Sequence, residues 1–598
     1  MFAIISFLGF TLLVAVISYY KTRDEDLSHE TGYFLAGRSL PWYVIAGSLF
    51  LTNISAEQLT GLNGNAFSKG ASVMAWETVA AVAMIAFALI FLPRFLKGGI
   101  TTVPQFLEDR FGKRMRLVAS SIFLYAIVIG FLPFVLYAGS ITLSKLFDLS
   151  SVFGTSDSVT TWIMVATLGV VGGIYAVFGG LKAVAVSDTV NGVGLLLGGF
   201  LVPVLALMHL GDGSMAAGFQ VLVSESPERM QAAGIGAEAA IPWHTLFSGI
   251  LLINLFYWCT NQAIIQRTLG ARNLAEGQKG VLAAAAMKVF GVAMLVLPGI
   301  IAWHMHQKGM IQIPVKEVLA NGNIILAQDM AYPVLVREVL PGWLSGFFGA
   351  VLFGAVLSSF NSGVNSLSTL ASLDIYKQYI NKTASNAQTV RVGRVFGLAT
   401  IVVCILIAPF VATADGLYTL MRTIMAVINV PILAVVVMGI LSKRTPALAG
   451  YIALPFGMIF FYVTHFVLKD DLGFIKLNWL HLVGTNFVLM LGIMLVVRYL
   501  KPQAQPYNQV HTREVDITHW KYARHACWVI AIMLIGLYAM FSGLGLLSTE
   551  GSVLKVGAAV VVAVAGIGLL LKIPAWFKAG GSAAAKSARS VADTGAYK

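Results

Sequence analysis

Charge is scarce in this chain. Lys, Arg, Asp and Glu together make up 11 % of its 598 residues, against about 25 % in soluble proteins. So few charges cannot cover a water-facing surface when 58 % of the residues are hydrophobic, so the solvent must be largely lipid. A set of soluble domains, a disordered chain and a coiled coil are excluded on the same figures. Cysteine is scarcer still. Cys259, Cys404 and Cys527 lie in or beside apolar runs and form no CxxC or zinc spacing, which excludes a disulfide scaffold and leaves them as small hydrophobes. No Walker lysine motif and no nucleophile elbow is present, which argues against an ATP-driven pump or a membrane hydrolase. His304-Met-His306 has no Cys or carboxylate beside it and reads as a solvated loop. Gly192-Val-Gly194 follows no strand and reads as a helix contact.

What the chain has is apolar length. Stretches able to cross ~30 Å of hydrocarbon fall at 2–20, 43–65, 71–96, 117–145, 159–180, 186–210, 243–266, 280–305, 342–372, 393–412, 417–441, 447–468, 475–499, 525–547 and 553–572. The expectation is an all-α integral membrane protein with about fifteen spans. The first stretch has no basic residue before it and no small-residue cleavage site, so it reads as a retained helix and not a signal peptide. With the N-terminus outside, the odd-numbered connections and the C-terminal tail hold 29 of the 40 Lys and Arg residues, and the even ones hold 9. This asymmetry places the C-terminus in the cytoplasm and accounts for a net charge of +13 without any nucleic-acid partner. The tail 576–598, rich in Ala, Ser and Gly, reads as disordered.

Two spans are interrupted. The second carries Thr52-Asn53-Ile54-Ser55-Ala56-Glu57-Gln58, and the seventh carries Asn254 and Tyr257-Trp258-Cys259-Thr260-Asn261-Gln262. Polar runs at membrane depth cost several kcal/mol unless they face protein or a water cavity. They lie five spans apart, and five is odd, so units 43–210 and 243–441 would have opposite topology. Each would open with a broken helix, as in inverted-repeat secondary transporters. Interhelical hydrogen bonding by Asn, Ser and Thr is the plainer alternative. Residues 1–42 would add a helix and linker in front, 211–242 an external connection, and 442–575 further helices behind.

Tyr33-Phe-Leu-Ala-Gly-Arg-Ser-Leu-Pro41, Asn53-Ile-Ser-Ala-Glu-Gln58, Asn261-Gln-Ala-Ile-Ile-Gln-Arg-Thr-Leu269, Ala355-Val-Leu-Ser-Ser359 and Asp374-Ile-Tyr-Lys377 resemble the sodium:solute symporter family, in particular its bacterial sodium/galactose and mammalian sodium/glucose branches. The resemblance runs from about Tyr33 to Arg444. It implies a LeuT-like five-plus-five inverted-repeat fold with extra helices at both ends, and sodium-coupled symport of a hexose-like sugar across the plasma membrane. An inositol, an acidic sugar or a nitrogenous compound is the alternative solute, and a non-transporting sensor ranks below both. The lack of long soluble loops suggests a bacterial inner membrane.

The same resemblance assigns sodium to the carbonyls of Leu51, Ile54 and Ala355 and the hydroxyls of Ser358 and Ser359. Sodium prefers several hard oxygen ligands, which an unwound helix and a facing hydroxyl pair supply. Back-bonding of the two serines to their own helix is the alternative. Asp188 matches an acidic position that assists sodium exit, or it forms a structural ion pair. For the solute, Asn53, Gln58, Glu77, Asn254 and Lys288 match sugar-contacting positions, and Tyr257 matches an aromatic gate beside Trp258. Asn261 opens the second broken motif and joins this polar inventory. Glu77 and Lys288 could instead simply pair, and the two aromatics could simply pack. The pattern departs from sugar-carrying members at Thr423, which stands beside Arg422 in place of an amide, and at Trp76 and Ala80.

Overall fold

The computed structural model describes residues 2–235, 241–318, 324–413 and 417–542, with 545 and 547; the side chains of Glu57 and of 411–422 are outside that description. Helices dominate the described residues, with one small antiparallel hairpin, Val315–Val318 against Ile324–Leu326, between Leu297–Gln307 and Ala331–Val339.

Eleven described helices are long and apolar enough to cross a membrane, or twelve if the bent pair Trp243–Cys259 and Gln262–Leu269 is one span. The difference from fifteen has three local causes. The expected span 43–65 is cut into Trp42–Asn53 and Ala56–Lys69, each too short to cross alone. The expected spans 159–180 and 186–210 run together as Asp157–Leu210, joined at Gly180 with φ 63° and ψ −175°. An added Cβ there would stand 3.1 Å from the Tyr33 carbonyl oxygen, so glycine permits both the bend and the contact. The last expected span, 553–572, and the tail 576–598 lie outside the described residues.

The first break is a backbone event. Ile54 adopts φ −94° and ψ 82°, and Ser55 is extended. In the second, Asn261 is extended and its side-chain oxygen accepts the Ala263 N–H at 3.0 Å. That bond caps the new helix and satisfies a donor that membrane interior would leave orphaned. The pair bends by 46°.

Packing of the two broken helices is reciprocal. Trp42–Asn53 lies on Leu274–Leu295, the helix that follows the second break, while Gly249–Cys259 lies on Ala75–Ala86, the helix that follows the first. Trp42–Asn53 also approaches Asp157–Leu210 closely. A Cβ on Gly47 would come within 2.9 Å of the Thr189 Cα. This approach brings Asp188 onto the face of Ser48 and Thr52. Gly342–Thr369 packs along the other side of Asp157–Leu210, carrying its serines inward.

Between Lys113–Tyr125 and Leu132–Leu146 the chain winds as a π-helical turn, Ala126–Phe131. Pro133 has no N–H to return to the preceding turn, so the widened turn relieves the mismatch. Ala126, Ile127 and Phe131 of this turn line the cavity described next.

Candidate functional site

At the first break, Leu51, Ile54, Ala355 and Ser359 are fully buried and Ser358 is 2 % exposed. The serine hydroxyls do not back-bond to their own helix. Ser359 Oγ donates to the Thr52 carbonyl at 2.8 Å, and Ser358 Oγ meets Thr52 Oγ1 at 3.0 Å. The neighbouring Ser362 does back-bond, to the Ser358 carbonyl at 2.5 Å. Ser358 and Ser359 therefore meet the last turn before the break, which holds Leu51 and ends at Ile54.

Asp188 lies one layer away. Its Oδ2 accepts from Ser48 at 2.6 Å and Thr52 at 3.3 Å, and Arg267 stands 3.7 Å off. Arg267 also donates to Ser48 at 2.6 Å and bonds Ser362 and the Ala263 carbonyl. Both charges are 1 % exposed. The hydroxyls of Thr52 and Ser358 link this ion pair to the break.

On the other side of Asn53 lies a cavity of about 60 Å³. Its polar lining is Asn53, Gln58, Tyr257, Asn261 and Asn429; its apolar walls include Phe123, Phe131 and Phe256. Glu77 and Lys288 sit behind this wall and do not line the cavity. They form a buried ion pair, with Lys288 fully buried. Lys288 also bonds Asn53 Oδ1, and Gln58 Nε2 donates to Glu77. The pair thus grips the two amides that face the void. Trp258 is buried with its ring 5.9 Å from the Lys288 ammonium, where its negative face favours the cation.

Not every expected solute residue arrives. Asn254 is buried and donates to the Ile250 carbonyl of its own helix at 3.0 Å. Thr423 is buried but off the cavity wall, and the Arg422 side chain is outside the described residues. Trp76 stacks on Trp479 at 6.4 Å. The amide that Leu417–Leu441 sends into the cavity is Asn429, beside Met425 and Ile428. Sequence reasoning passed it over, although an amide two residues before Pro431 in an apolar span carries the same intramembrane signal as Asn53.

The remaining motifs meet at the basic end of the bundle. Tyr33 donates to the Val177 carbonyl at 2.7 Å, and Leu40 pairs with Ala271. Gln266 reaches the Phe34 carbonyl at 2.9 Å, and the Trp42 N–H donates to Glu276 at 2.9 Å. Asp374 accepts from Arg116, Ser120 and Thr102, and Lys377 holds Glu30 at 2.6 Å. The Leu40, Gln266 and Trp42 contacts tie each of Trp42–Asn53 and Gln262–Leu269 to segments flanking the other.

The profile of the Sodium:solute symporter family matches residues 33–453. The chain is 44 % identical over 543 residues to the uncharacterized symporter YidK of Escherichia coli K12, covering 91 % of each. It is 31 % identical to a sodium/glucose cotransporter of Vibrio parahaemolyticus, covering 76 % of this chain and 84 % of that one. It is also 31 % identical to sodium/myo-inositol cotransporter 2 of Rattus norvegicus, covering 75 % and 67 %. Among solved structures, a substrate-bound, outward-open Na+-coupled sialic acid symporter superposes with a TM-score of 0.69. The identity is 18 %, over 85 % of this chain and 99 % of the other; the two share a fold.

Proposed function

Because the chain belongs to the sodium:solute symporter family, and is therefore a multi-pass membrane secondary transporter and not an enzyme, we propose that it couples sodium entry to uptake of a neutral, hexose-like polyol. The observation that carries this reading is the cavity lining: four amides and a phenol, with no charged side chain among the described lining residues. Amides and hydroxyls both donate and accept, as a ring of sugar hydroxyls requires, and phenylalanine walls suit its apolar face. An acidic sugar would need an exposed cation, whereas Lys288 is neutralised by Glu77 behind the wall. An inositol presents the same hydroxyls as a hexose and stays within this reading.

Sodium would sit among the carbonyls of Leu51, Ile54 and Ala355 and the hydroxyls of Ser358 and Ser359, with Asp188 on its exit path. Asn53 belongs both to the broken turn and to the cavity wall, so a cation that orders the break also orders a solute contact. Such coupling is reciprocal. One charge moving inward gains about 2.3 kcal/mol per 100 mV. The reciprocal packing of the two broken helices supports an inverted repeat of 43–210 and 243–441. The basic asymmetry supports a plasma-membrane orientation, of bacterial inner-membrane type, with an external N-terminus.

A thermal-unfolding screen of hexoses, inositols and sialic acid, in sodium and in potassium, tests the solute class. Neutral polyols are expected to stabilise the protein in sodium alone. Asn429→Ala should weaken that solute about tenfold, the loss of roughly one well-made hydrogen bond. Stabilisation by sialic acid alone would overturn the neutral-polyol reading.

A further inference from the structure

A second polar cavity, of about 300 Å³, opens at the basic end of the bundle. Arg94 and Lys97 lie in the last turn of Leu92–Lys97, and Lys443 follows Leu417–Leu441. The connection after Leu500 folds back to complete the wall. The Tyr507 N–H donates to the Lys443 carbonyl at 2.8 Å, the Gln509 amide to the Arg94 carbonyl at 2.7 Å, and the Thr512 N–H to the Lys97 carbonyl at 3.1 Å. These bonds satisfy helix-end carbonyls with amides; of the cationic side chains, Arg94 bonds the Ile90 carbonyl of its own helix at 2.6 Å.

Arg110, next to the cavity, is fully engaged. It donates to the Ser442 carbonyl at 2.6 Å, the Gly439 carbonyl at 3.3 Å and Gln503 at 3.2 Å, and it stacks between Phe111 and Tyr507. Lys97 and Lys443 have no such side-chain partners among the described residues, and Arg94 has the Ile90 carbonyl. Among the described residues no carboxylate lies within 4.0 Å of any of the three; Glu514, the acid near Gly99, is taken by Arg38 at 3.0 Å. The Tyr507 hydroxyl is buried with no hydrogen-bond partner among the described residues. Burial, with Asp109 adding to it and Arg110 opposing, pushes this phenol up to about 12. It therefore keeps its proton at neutral pH and remains a donor. Three like charges around one void repel each other, and an anion there would offset that repulsion and accept from the Tyr507 O–H.

We propose that this pocket binds a phosphate-ester anion, the group an anionic phospholipid headgroup presents. The position suits a lipid: exposed Ile90 lies one turn before Arg94 and exposed Leu441 two residues before Lys443, where acyl chains would run. Inorganic phosphate offers related chemistry from water.

The test uses the full chain in detergent micelles, comparing wild type with Lys97→Gln/Lys443→Gln. Thermal unfolding is read with phosphatidylglycerol, with phosphatidylcholine, and with inorganic phosphate against chloride at equal ionic strength. A rise of several degrees with phosphatidylglycerol over phosphatidylcholine, lost in the double variant, supports the pocket with a lipid source. A phosphate-specific rise lost in the same variant supports it with a free anion. Lys113→Gln/Arg114→Gln removes the same charge from exposed positions at the same end and should retain the response. Tyr507→Phe should diminish it. Equal responses in wild type and the Lys97/Lys443 variant, or no response in either, would overturn the proposal.

Discussion

Lys288→Met is expected to abolish solute uptake and to destabilise the protein by about 3–5 kcal/mol, because it strands the Glu77 carboxylate in the membrane interior. Lys288 is fully buried, pairs with Glu77 and holds Asn53. Glu77→Gln alone should cost a similar amount, leaving a buried ammonium without its counter-charge. The double variant Glu77→Gln/Lys288→Met should recover most of the stability, since no charge is then left unpaired. Uptake should not recover with it. Asn53 and Gln58 take their orientation from the pair, and neither replacement can hold both amides in place. Unfolding midpoints of the three variants, read beside uptake into proteoliposomes, separate the two effects. Uptake by the double variant at the wild-type rate would show that the pair serves stability alone.

Arg267→Met should produce a second large loss, but one that depends on the cation in the medium. Arg267 is the described cation facing Asp188, at 3.7 Å, and both lie in the protein interior. Without the guanidinium, Asp188 is an uncompensated buried charge. The penalty is again about 3–5 kcal/mol in a medium that offers no suitable ion. Sodium is expected to restore part of this stability, because Asp188 is joined through Thr52 and Ser358 to the oxygen-rich break. Potassium, being larger, should restore less. The measurement is the unfolding midpoint of Arg267→Met in sodium and in potassium at equal ionic strength. Equal midpoints would separate Asp188 from the cation pathway.

The sequence carried the outline of this arrangement unevenly. The breaks were legible because Thr52–Gln58 and Tyr257–Gln262 put hydrogen-bonding side chains where only a cavity or a neighbouring helix can satisfy them. Glu77 and Lys288 were legible as charges too costly to face lipid. Their pairing with each other stood among the alternatives, but the direction in which the pair faces did not, because that depends on how each helix is rotated in the bundle. Glu77 and Lys288 turned out to support the cavity wall from behind. Thr423 illustrates the same limit: it lies two residues from Met425, which rotates it about 200° away on a helix. Asn429, one turn beyond Met425, faces the void instead. The span count was blurred at the positions where backbone geometry departs from a straight helix, at Ile54 and Gly180, since hydropathy measures length and not direction.

A cation held by the break is expected to power solute movement. Proteoliposomes loaded in potassium and diluted into sodium, with the solute selected by the unfolding screen, measure this directly. Wild-type protein should accumulate solute above the external concentration only while the sodium gradient persists. Ser359→Ala, which removes one hydroxyl facing the Thr52 carbonyl, should bind solute weakly and lose that accumulation. Wild-type uptake that ignores the gradient, or full sodium-driven accumulation by Ser359→Ala, would contradict the account.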